Sequence, residues 1–124
     1  AAGKGLDPDF IRLGEVSVED GSRMAMELLS QRKRPRAIFA MSDLQAIGII
    51  KAARKLKLRV PEEIAILGFD DIEAADYMEL TTISQSLKES GRLAAELVLG
   101  RMREPDRPLR NIQLRVAVVE RSSA

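Results

Sequence analysis

Two short, uninterrupted apolar runs, Ala37-Ile38-Phe39-Ala40 and Ile64-Ala65-Ile66-Leu67, constrain this chain more than any other feature. Runs of that length without polar alternation suit strands buried on both faces, the kind found in parallel sheets. Between them, Ala46, Ile49, Ile50 and Ala53 share one face at helical spacing. The stretch from Asp43 to about Lys57 is therefore read as a helix capped by Asp43, with Val60-Pro61 stopping it. Strand, helix and strand in that order make a βαβ unit, so the fold class expected is α/β, a parallel sheet flanked by helices.

The remaining segments extend this pattern. Residues 1–8 carry turn chemistry and read as a loop or a frayed helix end. Phe10 to Val16 partly alternates and is expected to form a short strand. Ser17 caps a helix from Val18 to about Arg32, whose buried line is Met24, Ala25, Leu28 and Leu29. The second apolar run is expected to end at Gly68, followed by a loop with one or two helical turns over Asp70 to Met78. Thr81-Thr82-Ile83 reads as a strand, Leu87 to Arg103 as a helix, and Ile112 to Val118 as a late strand.

Composition narrows the chemistry. The chain has 124 residues, a length that suits one compact domain. It contains no Cys, His or Trp. Disulfide frameworks, Cys/His metal sites and Ser–His or Cys–His nucleophile pairs are thereby excluded. A net charge of +1 leaves no strong field toward nucleic acid or a membrane surface. Three Phe and one Tyr are too few for a base-stacking platform. No apolar segment is long enough to span a bilayer, and none opens the chain with a signal-peptide flank, so a soluble, cytoplasmic domain is expected.

In parallel α/β sheets, ligands bind beyond the carboxyl ends of the strands. That rule selects Ser42 and Asp43 after the first apolar run, and Asp70 and Asp71 after the second. Side chains of adjacent residues in an extended segment diverge, so Asp70 and Asp71 are not expected to share a metal ion. Asp70 either caps the following turn or accepts hydrogen bonds from a ligand, and the sequence leaves both open. Ser42 faces the same choice between helix start and ligand. No glycine-rich phosphate loop follows either run. The basic cluster Arg32-Lys33-Arg34-Pro35-Arg36 is read as a solvated helix terminus. Leu44 and Ile47 lie outside the core face of their helix; a second contact surface would account for them, with a dimer interface the natural candidate and cover by another part of the same protein the alternative.

These residues also carry a family resemblance. Ala37-Ile38-Phe39-Ala40 with Ser42-Asp43, Ala46 and Gly48 comes first. Leu58-Arg59-Val60-Pro61-Glu62-Glu63-Ile64, Gly68-Phe69-Asp70-Asp71, Leu80-Thr81-Thr82-Ile83 with Gln85, and Gly91-Arg92-Leu93-Ala94-Ala95 with Leu97 follow in order. The ordered set resembles the C-terminal part of lactose-repressor (LacI/GalR) family transcription regulators, over about Leu6 to Ser122.

The resemblance implies a periplasmic-binding-protein-like core of two α/β lobes with a small effector between them. Residues 1–124 would form the C-terminal part of that core. Residues 9–84 and 111–122 would belong to the C-terminal lobe, and 85–110 would be a crossover helix packing on an N-terminal lobe. The lobe's first strand and helix, the N-terminal lobe and a helix-turn-helix domain are expected outside this chain. Leu93, Leu97 and Val98 would then be exposed here, and self-association or membership of a longer protein is expected.

By the same resemblance, Asp70 matches an effector-contacting aspartate, with Ser42, Val16 and Asp43 as further ligand-binding candidates. Val16 stands where purine- and sugar-binding members often stack an aromatic ring, which valine cannot do. Leu44, Ile47, Tyr77 and Met78 fall in the family's homodimer contact. The expected partners are a small-molecule effector (a sugar or related metabolite), a second copy, and operator DNA reached only through the separate helix-turn-helix domain. No cofactor and no metal are implied. A solute-binding protein of a sugar transporter shares the fold and is the alternative. An enzyme using Asp70 or Asp71 as general base would rest on a thin constellation.

Overall fold

The computed structural model describes residues 7–124; the reading of residues 1–6 as a loop or frayed helix lies outside them. A short 3-10 turn, Pro8–Phe10, precedes α1 (Val18–Leu29), β1 (Ala37–Phe39), α2 (Asp43–Lys55) and β2 (Ala65–Asp70). Then come α3 (Glu73–Tyr77), β3 (Thr82–Ser84), α4 (Leu87–Arg103) and β4 (Ala117–Val119). The strands form one sheet in the order β1-β2-β3-β4, with β1, β2 and β3 parallel and β4 antiparallel to β3. The expected α/β class and parallel sheet are what forms.

The core lies where α1 and α2 pack with β2. Ile64 and Ile66 are fully enclosed by Ala25 and Leu29 of α1, Ala46, Ile49, Ile50 and Ala53 of α2, and Leu80. Met24, Ala25, Leu28 and Leu29 are all buried, as their spacing predicts. The two helices cross almost backbone to backbone. A Cβ on Gly48 would strike the Val18 carbonyl and the Ser22 nitrogen, and one on Gly21 would strike the Gln45 backbone. Only glycine at these positions allows so close an approach.

Several expected boundaries are corrected. Phe10 to Val16 forms no strand; the backbone groups of Glu15 are instead engaged by the start of α1 and by α2. The Glu15 N–H donates to the Asp20 carboxylate at 2.8 Å, and the Glu15 carbonyl accepts from the Ser17 N–H and the Gln45 side-chain amide. β1 is not buried on both faces. It is the edge strand, and Phe39 stays 50% exposed while meeting Phe69 edge-on. β2 does not end at Gly68; Gly68, Phe69 and Asp70 continue it by pairing with Thr82, Ile83 and Ser84 of β3. The late strand is only Ala117–Val119, since β3 offers just Thr82 to Ser84 as partners and Ile112 to Val116 find none. α1 stops at Leu29 and α2 at Lys55, with Lys57 in the left-handed region turning the chain toward β2.

α4 matches its expected bounds but stands apart. None of its residues is buried, Leu93 and Leu97 are half-buried, and Val98, Leu99 and Met102 are exposed.

Candidate functional site

The carboxyl ends of β2 and β3 open into a depression lined by Asp70, Asp71, Ser84, Ser86 and the first turns of α4. Asp70 has φ 114° and Asp71 φ 57°, so two consecutive non-glycine residues leave the strand through positive φ. Such backbone is costly for an L residue and persists where the surroundings hold it.

Here the surroundings hold both carboxylates. The Gln85 side-chain amide donates to Asp70 Oδ1 at 2.6 Å. The Arg121 guanidinium donates to Asp71 at 3.1 Å, to Asp76 at 3.2 Å and to the Leu80 carbonyl at 2.8 Å. Asp70 and Asp71 both line the depression, where an extended segment would send them to opposite sides; the turned backbone brings them there, and each carboxylate has its own partner. Asp70 stays half-buried, with one oxygen engaged by Gln85 and the side chain facing the depression.

The opposite rim is set by α4. Arg92 bonds both Glu89 and Glu96, which raises its pKa, and the Arg92 hydrogen bonds hold Glu89 below the usual carboxylate range. That arginine is therefore already neutralised by its own helix. Among the described residues no three acidic side chains converge to hold a metal ion.

The other sequence candidates fall elsewhere. Ser42, not Asp43, caps α2: its hydroxyl oxygen accepts from the Gln45 N–H at 3.2 Å, and the residue is buried. Asp43 is the first residue of the helix and is completely buried. Thr82 Oγ1 donates to its Oδ1 at 2.6 Å, and the Ile72 N–H donates to its Oδ2 at 2.9 Å. It reaches Thr82 across Gly68, where any Cβ would collide with the Asp43 carboxylate. The glycine of Gly-Phe-Asp-Asp is thus required by an internal carboxylate. Val16 is 62% exposed and is not among the side chains lining the depression.

Leu44 is 40% exposed on the first turn of α2, and Ile47 is half-buried one turn later. Tyr77 is 78% exposed at the end of α3, while Met78 packs against the core.

Sequence reasoning missed Thr82, Arg121 and Ser123. Ser123 is buried, donating to the Ile66 carbonyl at 2.7 Å and accepting from the Thr81 N–H at 2.8 Å. Their partners lie about forty or more positions away in the chain, beyond the reach of any local pattern.

Comparison with known proteins adds a second line of information. The profile of the family described as "Periplasmic binding protein-like domain" matches residues 2–124. The ribose operon repressor of Escherichia coli (strain K12) is 35% identical over 125 aligned positions, covering 99% of this chain and 38% of the repressor. The crystal structure of a LacI-family regulatory protein from Chloroflexus aggregans superposes with TM-score 0.85 at 31% identity, covering 96% of this chain and 44% of that one. A LacI-family transcriptional regulator from Enterococcus faecium, solved with bound ribose, gives TM-score 0.81 at 30% identity, covering 86% of this chain and 40% of that one. The chain therefore spans well under half the length of the proteins it matches.

Proposed function

This chain belongs to the periplasmic-binding-protein-like domain family, among the LacI/GalR regulators, and on that premise we propose that it is the effector-binding and dimerisation region of a DNA-binding transcriptional regulator. It supplies one wall of an interlobe cleft that senses a sugar or related metabolite. The single observation that carries this reading is Asp70, a half-buried carboxylate turned by positive φ into the mouth of a parallel sheet. A carboxylate there accepts hydrogen bonds from ligand hydroxyls, and such charge-assisted bonds are the strong ones.

In this reading residues 9–84 and 111–122 form the lobe, and 85–110 cross to the other lobe, which covers the exposed side of α4. Asp43 and Ser42, whose oxygens are engaged internally, shape the wall without touching the effector. Leu44 and Tyr77 supply the exposed apolar part of a homodimer contact, with half-buried Ile47 beside Leu44, and Met78 supports it from the core side. Operator DNA is bound elsewhere in the protein. The relatives named above are regulators, which favours this reading over a transporter's solute-binding protein.

The test is a thermal-shift screen of ribose, other sugars, sugar acids and nucleobases on the complete two-lobe polypeptide. A stabilising ligand should be found, and Asp70→Ala should abolish its effect. Full retention of the response by Asp70→Ala would overturn the assignment.

A further inference from the structure

We propose that the end of the sheet opposite the Asp70 depression is a sequence-independent contact surface for the phosphate backbone of duplex DNA, additional to operator recognition elsewhere in the protein. The choice of DNA among polyanions rests on the regulator reading; the surface itself does not.

Three observations carry it. First, the fold joins two basic segments that lie apart in the sequence. The α1–β1 loop supplies Arg32, Lys33, Arg34 and Arg36, and the end of α2 with its connection to β2 supplies Lys55, Lys57 and Arg59. β1 and β2 are parallel and start together, Ala37 pairing with Ala65, so both segments lie at the amino end of the sheet. The Ala65 N–H donates to the Arg36 carbonyl at 2.9 Å. The Glu63 carboxylate accepts from Arg34 at 3.4 Å and from the Arg59 guanidinium at 3.2 Å, bridging the two segments.

Second, positive charge is in excess here. Between Glu27 and Glu62 the only acidic residue is Asp43, which is completely buried at the far end of α2. Glu63 is shared by two arginines, and Glu79 and Glu120 stand at this end of the sheet but beside β3 and β4. Among the described residues, Arg32, Lys33, Arg36, Lys55 and Lys57 are exposed and form no ion pair. The net charge of +1 averages this cluster away, but a polyanion meets the local field. The pull of a helix C-terminus on cations does not account for it. α1 ends at Leu29 with no basic residue in its last turn, and the dipole effect fades within that turn.

Third, the surface offers charge and little else. Among the described residues no large apolar side chain is exposed between Val16 and Phe39 or between Leu44 and Tyr77, so the apolar anchors of a protein–protein interface are missing. Neither segment contains an aromatic ring on which an unpaired base could stack. Arginine and lysine by themselves bind phosphate without reading bases.

The test follows binding of a short labelled DNA duplex of mixed sequence to this chain by fluorescence anisotropy across a range of salt, with circular dichroism to verify that each variant is folded. Wild type should bind at low salt and lose affinity steeply as salt rises. Lys33→Glu/Arg36→Glu/Lys57→Glu should weaken binding at least about tenfold and lower the salt slope by about three, since each phosphate contact contributes about 0.9. Arg103→Glu/Arg110→Glu/Arg115→Glu makes the same change in net charge away from the surface and should bind like wild type. Glu63→Gln releases Arg34 and Arg59 while keeping an acceptor for the Arg59 N–H, and should bind several-fold tighter. Equal losses in the two triple variants, or no binding by folded wild type at low salt, would overturn the surface. Tighter binding of poly-glutamate than of the duplex would overturn the assignment to DNA in favour of an acidic protein. The effector reading is tested separately by the thermal-shift screen, so either can fail without the other.

Discussion

Asp43 and Asp70 each lie just past the end of a run of apolar residues, and the fold puts them to opposite uses. Asp43 is fully buried with both oxygens bonded, to Thr82 and to the Ile72 N–H. Asp43→Ala would strand a buried hydroxyl and a backbone donor, so a loss of roughly 2–4 kcal/mol is expected. Urea denaturation measures it. Asp70 is half-buried and strained, which makes its cost to stability run the other way. Asp70→Gly removes the penalty of φ 114° along with one hydrogen bond, so stability should stay within about 1 kcal/mol of wild type while effector response is lost. A stability loss like that of Asp43→Ala would show that Asp70 is a structural carboxylate. Both aspartates are equally visible in the sequence. Which one is internal depends on Gly68 leaving room for Asp43 to reach Thr82, a contact between residues 39 positions apart.

At the scale of elements, the crossing of α1 and α2 is the tightest joint in the molecule. Gly48→Ala must push the α2 backbone away from Val18 and Ser22, and overpacking of this kind costs about 1–3 kcal/mol. A lowered midpoint in thermal circular dichroism would report it. Two half-buried carboxylates at element ends add a pH dependence. The Arg23 side chain and the Glu15 N–H hold Asp20 below the usual carboxylate range. The Arg59 N–H and guanidinium do the same for Glu63 before β2. A depressed carboxylate contributes stability above its unfolded pKa and loses it as pH falls through the folded value. Stability should therefore fall on acidification below about pH 4. Asp20→Asn/Glu63→Gln should flatten that slope in urea melts taken across the range. The helices were the most legible elements, because a period in apolar residues survives any tertiary arrangement. Strands were less so. β1 is apolar yet lies at the edge, and Phe10–Val16 alternates yet its Glu15 N–H donates to Asp20 of α1 and its Glu15 carbonyl accepts from Gln45 of α2.

Among the apolar side chains that the core leaves uncovered in the described residues, two groups stand on helices. One is the length of α4 with Val98, Leu99 and Met102; the other is Leu44 and Tyr77 on α2 and α3. On the proposed function the first meets another lobe and the second a second copy. The present chain alone, lacking cover for α4, should self-associate, and Val98→Glu/Met102→Glu should return it toward a monomer in light scattering. In the complete two-lobe protein, Leu44→Asp should shift dimer toward monomer without lowering the melting temperature by more than a few degrees. A clean monomer before any substitution would remove both surfaces from consideration as contacts.

The sequence alone determined the α/β class, the helices, the buried faces of α1 and α2, and the positions at the carboxyl ends of strands where a ligand site belongs. All of these follow from local periodicity and from rules of parallel-sheet topology. Only the tertiary structure decided that Ser42 caps while Asp43 is buried, that Asp70 turns outward on Gln85, and that Arg121 restrains Asp71. It also decided that α4 stands free of the core. The physical reason is the same in each case. Burial and hydrogen-bond partnership are properties of residues brought together from distant parts of the chain, and a carboxylate's role is set by what meets it there.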